Sequence, residues 1–202
     1  MIDKIVPLLT LDKVEHAEII GNLLLKNGFR TAEVTYRTNC ATEIIQKLAK
    51  IEGFKVGAGT ITSIEQMLEA LNAGAEFIIT PGINVPVIEE ALKRNIKIYP
   101  GVVTPSEIEI CRSYNLKILK LFPCGIFGGK KLLKAYSGPY YDFKFIPTGG
   151  INEDNATEFL ECNNVIAIGG SFVVKEKYLE NEDWDSLDKY LNNLKLRLNE
   201  YI

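Results

Sequence analysis

The sequence predicts an α/β fold, a single-domain (β/α)8 TIM barrel that spans residues 1–202. Short apolar runs alternate with amphipathic stretches eight times, and strict strand–helix alternation favours right-handed crossovers and a parallel sheet. At 202 residues the chain is at the low end of the usual size for this barrel, so its loops must be short. The rival is an open doubly wound sheet, which would favour a Gly-rich turn after the first strand if it bound a dinucleotide. Leu9-Thr10-Leu11-Asp12 stands there instead.

The apolar runs are the predicted strands, and a predicted helix follows each of them. The strands are 5–9, 31–36, 55–59, 77–80, 97–101, 116–122, 143–147 and 165–169. The helices are 14–27, 41–51, 63–73, 86–94, 105–114, 130–135, 153–161 and 184–198. In the last helix Leu187, Tyr190, Leu191, Leu194 and Leu198 recur at the spacing of one helical face. Thr104, with Glu107 three residues later, predicts a capping box at the start of the fifth helix.

Composition and charge exclude several classes of protein. The net charge is -3, and no Lys/Arg cluster is interleaved with aromatic residues, so we expect no nucleic-acid partner. The chain does not open with a signal-peptide pattern, and no apolar run approaches the roughly 18 residues that span a bilayer. We therefore expect a cytoplasmic protein without a membrane partner. The four cysteines lack the spacing of a metal or redox pair. The single histidine, His16, is expected on an exposed helix face, so zinc sites with several histidines are excluded.

Lys120 is the first candidate for chemistry, because it stands in the middle of an otherwise apolar run. Strand alternation puts Ile118, Lys120 and Phe122 on one face, so the ammonium is expected to point into the protein. An unpaired ammonium is costly to bury and tends to lose its proton. A neutral, desolvated lysine is a nucleophile suited to forming a Schiff base with a carbonyl substrate. The alternative is a lysine that reaches solvent at a strand end or pairs with a carboxylate.

The second predicted strand carries polar residues on the face that should point into the barrel. Glu33, Thr35 and Arg37 alternate along it towards the carboxyl end, where active sites of these barrels lie. A carboxylate and a guanidinium on an interior face are unusual unless they are paired or catalytic. The alternative is an ion pair of Glu33 with Arg37 or Lys120 that only closes the barrel.

Paired glycines follow the last two predicted strands. They are Gly149-Gly150 and Gly169-Gly170, and Ser171 follows the second pair. Glycine lets backbone N–H groups approach an anion closely, and a following helix N-terminus adds a favourable dipole. The loops after strands seven and eight are the recurrent phosphate site of this barrel class. The sequence therefore predicts phosphate binding there.

These motifs together resemble the 2-keto-3-deoxy-6-phosphogluconate (KDPG)/4-hydroxy-2-oxoglutarate (KHG) aldolase family, over nearly the whole chain. The matching segments are 33–38 (EVTYRT), 56–60 (VGAGT), 80–82 (TPG), 100–102 (PGV), 119–123 (LKLFP), 147–151 (PTGGI) and 168–171 (IGGS). The resemblance implies a class I aldolase, a carbon–carbon lyase that needs no metal or other cofactor. Such an enzyme cleaves a 2-keto-3-deoxy-6-phospho sugar acid to pyruvate and glyceraldehyde 3-phosphate. A cytoplasmic homotrimer is also implied.

The resemblance further implies a role for each matched residue. Lys120 aligns with the Schiff-base lysine of the family, and Glu33 aligns with its general acid/base. Arg37 and Thr60 fall where the family holds the pyruvate carboxylate. The full set of implied substrate-binding residues is Arg37, Thr60, Pro81, Phe122 and Thr148, and the implied phosphate-binding residues are Gly149, Gly150, Gly170 and Ser171.

One segment departs from the family pattern. After Phe122-Pro123 the family usually has Ala-Glu, whereas Cys124-Gly125 stands here, near the expected mouth of the site. We expect Cys124 to be a small packed residue. The departure leaves the substrate open between the gluconate and galactonate series of phospho sugar acids and 4-hydroxy-2-oxoglutarate.

Two other functions fit part of the pattern. A sugar-phosphate isomerase or epimerase on a phosphate-binding barrel would explain the glycines but would leave Lys120 without a role. A binding protein that has lost turnover would be expected to lack a catalytic residue, and the sequence has all of them.

Overall fold

The computed structural model describes residues 2–198 and 201–202, and strands and helices alternate along them. The strands are β1 (Ile5–Leu9), β2 (Thr31–Thr35), β3 (Lys55–Gly59), β4 (Phe77–Ile79), β5 (Lys97–Tyr99), β6 (Gly101–Val102), β7 (Ile118–Leu121), β8 (Lys144–Pro147) and β9 (Ile168–Gly170). The helices are α1 (His16–Lys26), α2 (Ala41–Leu48), α3 (Ile64–Asn72), α4 (Val85–Lys93), α5 (Pro105–Ser113), α6 (Lys130–Tyr136), α7 (Ala156–Leu160), α8 (Glu176–Glu180) and α9 (Trp184–Arg197).

The strands pair in parallel in two curled sheets, so the predicted α/β fold with parallel strands is confirmed. The first sheet has the order β5-β4-β3-β2-β1-β9, and the second has the order β6-β7-β8. The prediction of a continuous fifth strand is wrong, because Pro100, which has no N–H for the ladder, separates β5 from β6. Periodicity also did not predict the short helix α8 between β9 and α9.

The start of α5 agrees with the capping signal in the sequence. Thr104 and Glu107 form the predicted capping box of α5: the Thr104 hydroxyl accepts from the Glu107 N–H, and the Glu107 carboxylate accepts from the Thr104 N–H. In α9 the predicted apolar face is buried through Leu187, Leu191 and Leu194.

No helix in the described part of the chain is both long and apolar enough to cross a membrane.

Buried apolar side chains form two separate clusters. The larger one lies between the sheets and the helices. The smaller one joins inward-facing side chains from several strands, namely Val6, Phe77, Ile79, Tyr99, Ile146 and Ala167. Gly57 makes room for it, because a methyl group built on Gly57 would overlap the ring of Phe77. This cluster is an apolar floor beneath the carboxyl ends of the strands.

His16 is buried, so the expectation of an exposed histidine is wrong. Its Nε2 lies 3.1 Å from Glu182 Oε1, and its ring meets Trp184 edge-on with centroids 4.9 Å apart. Hydrogen bonds from Lys13 and His16 lower the pKa of Glu182. Helical periodicity shows which residues share a face, but the contact that covers His16 comes from the distant α8–α9 segment.

Candidate active site

The residues predicted for the site line one cavity of about 270 Å³ at the carboxyl ends of the strands. They are Glu33, Arg37, Thr60, Pro81, Lys120, Phe122, Thr148, Gly149, Gly150, Gly170 and Ser171. Leu8, Thr35 and Ile151 complete the lining. The structure thus brings together every residue to which the family resemblance gave a role, whereas Gly169 of the second glycine pair does not line the cavity.

Lys120 on β7 and Glu33 on β2 form the centre of this cavity. The Nζ of Lys120 donates to Oε1 of Glu33 over 3.1 Å, and the two side chains are 6% and 1% exposed. Lys120 points inward as predicted, and it makes the contact with Glu33 that the sequence analysis gave as an alternative. Alternation along β7 indicates the face of a residue, whereas the partner comes from a different strand. At 3.1 Å a proton can pass directly between the amine and the carboxylate.

The ion pair is enclosed by groups that limit its contact with water. The Nζ of Lys120 lies 5.2 Å from the centroid of the Phe122 ring, a distance at which the ring face attracts a cation. The attraction between the opposite charges is stronger here than at the surface, since little water screens it. Removing one partner would leave the other as an uncompensated buried charge.

Glu33 can occupy its position because Gly59 has no side chain. The parallel pairing of β2 with β3 sets Thr35 beside Gly59 and Glu33 beside Gly57. A methyl group built on Gly59 would overlap the carboxylate of Glu33. Gly59 therefore provides the space in which Glu33 reaches Lys120.

Two hydroxyl groups hold Arg37 at the mouth of the cavity. Its Nη2 donates to Thr10 Oγ1 over 2.8 Å, and its Nε donates to Thr35 Oγ1 over 3.3 Å. The two hydroxyl oxygens are 2.8 Å apart. A guanidinium held in one orientation suits a planar carboxylate, because its fork can donate to both oxygens.

Thr60, directly after β3, has a strained backbone. Its φ of 59° is in the left-handed region, which β-branched residues rarely adopt. The neighbouring backbone is fixed, since the Tyr36 N–H donates to the Gly59 carbonyl over 2.8 Å. Strain of this kind costs roughly 1–3 kcal/mol and concentrates at functional sites.

Gly149 and Gly150 form a tight loop above the ion pair. Both have φ of 84°, a conformation that favours glycine. The neighbouring β7–α6 loop supports them, because the Gly125 N–H donates to the Gly149 carbonyl over 2.9 Å. The helix that follows each glycine pair begins several residues later, α7 at Ala156 and α8 at Glu176. Any anion here would be met by loop N–H groups.

Cys124 is packed, as predicted. It is fully buried, and burial raises the pKa of its thiol to about 12. Ile126 and Phe127, which follow it in the same loop, are exposed. In the described residues no cluster of His, Cys, Asp and Glu side chains could hold a metal ion.

Sequence reasoning missed Thr10 as a contact of the site. The sequence holds one signal for it, because alternation along β1 continues from Val6 and Leu8 to Thr10. The register is known only from the structure, where the β1–β2 pairing aligns Leu8 with Glu33. Extending that register by two residues places Thr10 beside Thr35, on the side that faces the cavity.

Comparison with known proteins agrees with the resemblance found in the motifs. The family model "KDPG and KHG aldolase" matches residues 2–190. The chain is 39% identical to the KHG/KDPG aldolase of Escherichia coli (strain K12), over 92% of this chain and 87% of that protein. A solved KDPG aldolase from Legionella pneumophila, with pyruvate captured as a covalent carbinolamine intermediate, superposes with a TM-score of 0.91, at 32% identity over 95% of this chain and 94% of that one. The Zymomonas mobilis ZM4 KDPG aldolase with 3-phosphoglycerate gives a TM-score of 0.88, at 29% identity over 96% and 93% of the two chains.

Proposed function

Because the chain belongs to the KDPG and KHG aldolase family, we propose that it is a class I aldolase. It reversibly cleaves 2-keto-3-deoxy-6-phosphogluconate, or a closely related phospho sugar acid, to pyruvate and glyceraldehyde 3-phosphate. The observation that carries this proposal is the buried Lys120 with its Nζ 3.1 Å from Glu33, inside a cavity at the strand ends. The carbinolamine of the Legionella relative supports a nucleophilic amine in this family.

The reaction begins with proton transfer from Lys120 to Glu33. The free amine adds to the C2 ketone, and the carbinolamine then loses water with the proton that Glu33 returns, which gives a protonated imine. This iminium accepts the electron pair of the C3–C4 bond when Glu33, directly or through a water, removes the C4 hydroxyl proton. Glyceraldehyde 3-phosphate leaves, Glu33 gives its proton to C3 of the enamine, and hydrolysis releases pyruvate and restores the Lys120–Glu33 pair.

The other cavity residues bind and orient the substrate. Arg37 and Thr60 hold the carboxylate of the keto acid. Pro81, Phe122 and Thr148 line the space around the reacting carbons, and the phosphate lies against Gly149, Gly150, Gly170 and Ser171. The phosphate is remote from the bond that breaks, so its binding energy serves to orient the chain of carbons.

A second substrate is favoured by one comparison. The Escherichia coli relative carries the name KHG/KDPG aldolase, so 4-hydroxy-2-oxoglutarate is the next candidate. Coupled assays with this acid and with the phosphorylated gluconate and galactonate analogues would rank the three. A high preference for the phosphorylated acids would support the role given to the glycine loops.

We also propose a closed barrel, a single domain over residues 1–202, that assembles as a homotrimer in the cytoplasm. Two parallel bridges, Phe145–Val165 and Thr148–Gly169, connect the β8 region with the region of β9. At the other edge of the three-stranded sheet, the backbone N–H of Lys120 donates to the carbonyl of Pro100, the residue between β5 and β6. If β5 and β6 count as one interrupted strand, eight strands close the ring. Light scattering on the purified protein tests the trimer.

The experiment that tests the function is borohydride trapping with pyruvate, followed by peptide mass mapping. We expect a pyruvate adduct on Lys120 and none on Lys117. Lys117 belongs to the same apolar run, but its Nζ donates to the Asp142 carboxylate at the opposite end of β7. Lys120→Met should remove the adduct. If pyruvate binds but Lys120 stays unmodified, the Schiff-base mechanism is wrong and a sugar-phosphate isomerase on the same fold becomes the better explanation.

A further inference from the structure

Thr10 lies just beyond β1 and joins a small hydrogen-bond network at the cavity mouth. Its hydroxyl oxygen accepts from Nη2 of Arg37 over 2.8 Å. The same hydroxyl lies 2.8 Å from the Thr35 hydroxyl, and either oxygen can be the donor there. The Thr35 hydroxyl accepts from Nε of Arg37 over 3.3 Å and lies 3.4 Å from the Leu9 carbonyl. The guanidinium and the two hydroxyls thus form one hydrogen-bonded chain that ends at the backbone.

From this chain we infer that Thr10 is a positioning residue, which holds Arg37 in the orientation that receives the substrate carboxylate. This inference rests on the carboxylate-binding role proposed for Arg37. The hydroxyl of Thr10 is already engaged by Arg37 and Thr35, so Thr10 acts through Arg37.

The structure also indicates which part of Arg37 meets the carboxylate. Nε donates to Thr35, and one N–H of Nη2 donates to Thr10. The N–H groups of Nη1 and the second N–H of Nη2 are not used by this network. They form the outer end of the guanidinium, where a carboxylate can accept two parallel hydrogen bonds.

Pre-ordering matters for Arg37 because its side chain is exposed at the cavity mouth. A long, solvent-exposed arginine loses rotamer freedom when it binds a ligand, and this loss weakens binding. Hydroxyls that hold the side chain before the ligand arrives reduce that loss. The expected signature is therefore weaker carboxylate binding without a slower chemical step.

The chain offers a matched set of variants. Thr10→Val removes the hydroxyl and keeps the shape, whereas Thr10→Ser keeps the hydroxyl. Thr38→Val is the control. The Thr38 hydroxyl donates over 2.8 Å to the carbonyl of Leu11, the residue after Thr10, and not to the side chain of Arg37. Arg37→Ala, alone and combined with Thr10→Val, tests whether the effect passes through the guanidinium.

The readouts are the pyruvate concentration that half-saturates borohydride trapping on Lys120, and kcat and KM for cleavage. We expect Thr10→Val to raise the half-saturating concentration and KM about 3- to 10-fold, the effect of one ordinary hydrogen bond, because the lost bond acts on the substrate only through Arg37; kcat should stay within about two-fold. Thr10→Ser and Thr38→Val should match the wild type. In the Arg37→Ala background, Thr10→Val should have no further effect.

The variants separate a wrong role for Thr10 from a wrong proposed function. If Arg37→Ala weakens pyruvate binding but Thr10→Val does not, or if Thr10→Val acts equally in both backgrounds, Thr10 does not position Arg37. A fall in kcat with KM unchanged also overturns the inference. If Arg37→Ala has no effect, the carboxylate role and the inference fail together, while trapping on Lys120 would still support the aldolase. Absence of any adduct on wild-type Lys120 would refute the aldolase itself.

Discussion

Gly59→Ala should disable the site by displacing Glu33, although no proposed catalytic residue is replaced. The backbone of Gly59 is not in the left-handed region, so alanine meets no conformational penalty there. The added methyl would, however, overlap Oε1, Cδ and Cγ of Glu33. Glu33 is almost fully buried and must rotate to make room. That rotation breaks the 3.1 Å contact with Lys120.

The size of the effect follows from the separated charges. Breaking a buried ion pair by removing one partner costs about 3–5 kcal/mol. Both charges remain in Gly59→Ala and can be partly compensated after relaxation, so we expect a loss of about 3 kcal/mol in the free energy of unfolding, the lower end of that range. A misplaced acid/base should slow cleavage by at least about 10²-fold.

Denaturant unfolding and the coupled cleavage assay measure both effects. Gly138→Ala is the control, because a methyl group there meets nothing within 4 Å and the backbone is equally permissive. In a Glu33→Ala background the overlap is removed. Adding Gly59→Ala there should lower the free energy of unfolding by less than about 0.5 kcal/mol, as for independent sites. Wild-type stability and turnover in Gly59→Ala, or an equal cost in both backgrounds, would refute the reasoning.

Further predictions concern the ion pair and two threonines. Glu33→Gln should slow cleavage about 10²–10⁴-fold while the borohydride adduct still forms on Lys120, and near-wild-type turnover would remove Glu33 from the mechanism. Lys120→Met should lower the free energy of unfolding by about 3–5 kcal/mol, because it leaves the Glu33 carboxylate unpaired, and adding Glu33→Gln should recover that loss in denaturant unfolding. Thr60→Gly should relieve its left-handed strain and raise stability by about 1 kcal/mol after the entropy cost of glycine, while pyruvate trapping weakens; unchanged stability would argue against the strain. Thr31→Val should stabilise the protein by about 1 kcal/mol, because the buried Thr31 hydroxyl has no hydrogen-bond partner, and a thermal melt would show a loss instead if a partner exists.

The composition of the site could be predicted because two simple rules act together. Alternation along a strand assigned Glu33 and Lys120 to inward faces, and the parallel arrangement gathered the carboxyl ends of the strands at one edge. None of these inferences needs the distance between two strands.

The contacts that alternation left open or missed do require that distance. The choice between an unpaired Lys120 and a pair with Glu33 depends on how far Glu33 reaches across from β2, and Thr10 contacts Arg37 only because β1 and β2 pair in a particular register. Likewise His16 is covered by Trp184, which comes from the other end of the sequence. Periodicity within one element contains no information on these partners.

Non-glycine residues with a left-handed backbone are unevenly distributed over the fold. Among the described non-glycine residues with left-handed φ, Asn95 and Asn115 follow α4 and α5, a position where asparagine commonly ends a helix. Glu182 lies in the turn before α9, and Thr60 is the β-branched exception. Thr60 shares its cavity with the Lys120–Glu33 pair, which is also costly to bury because both charged groups lose their hydration. Features that the rest of the fold avoids are thus concentrated where the proposed chemistry needs them, above a floor of well-packed apolar side chains that can hold them in place.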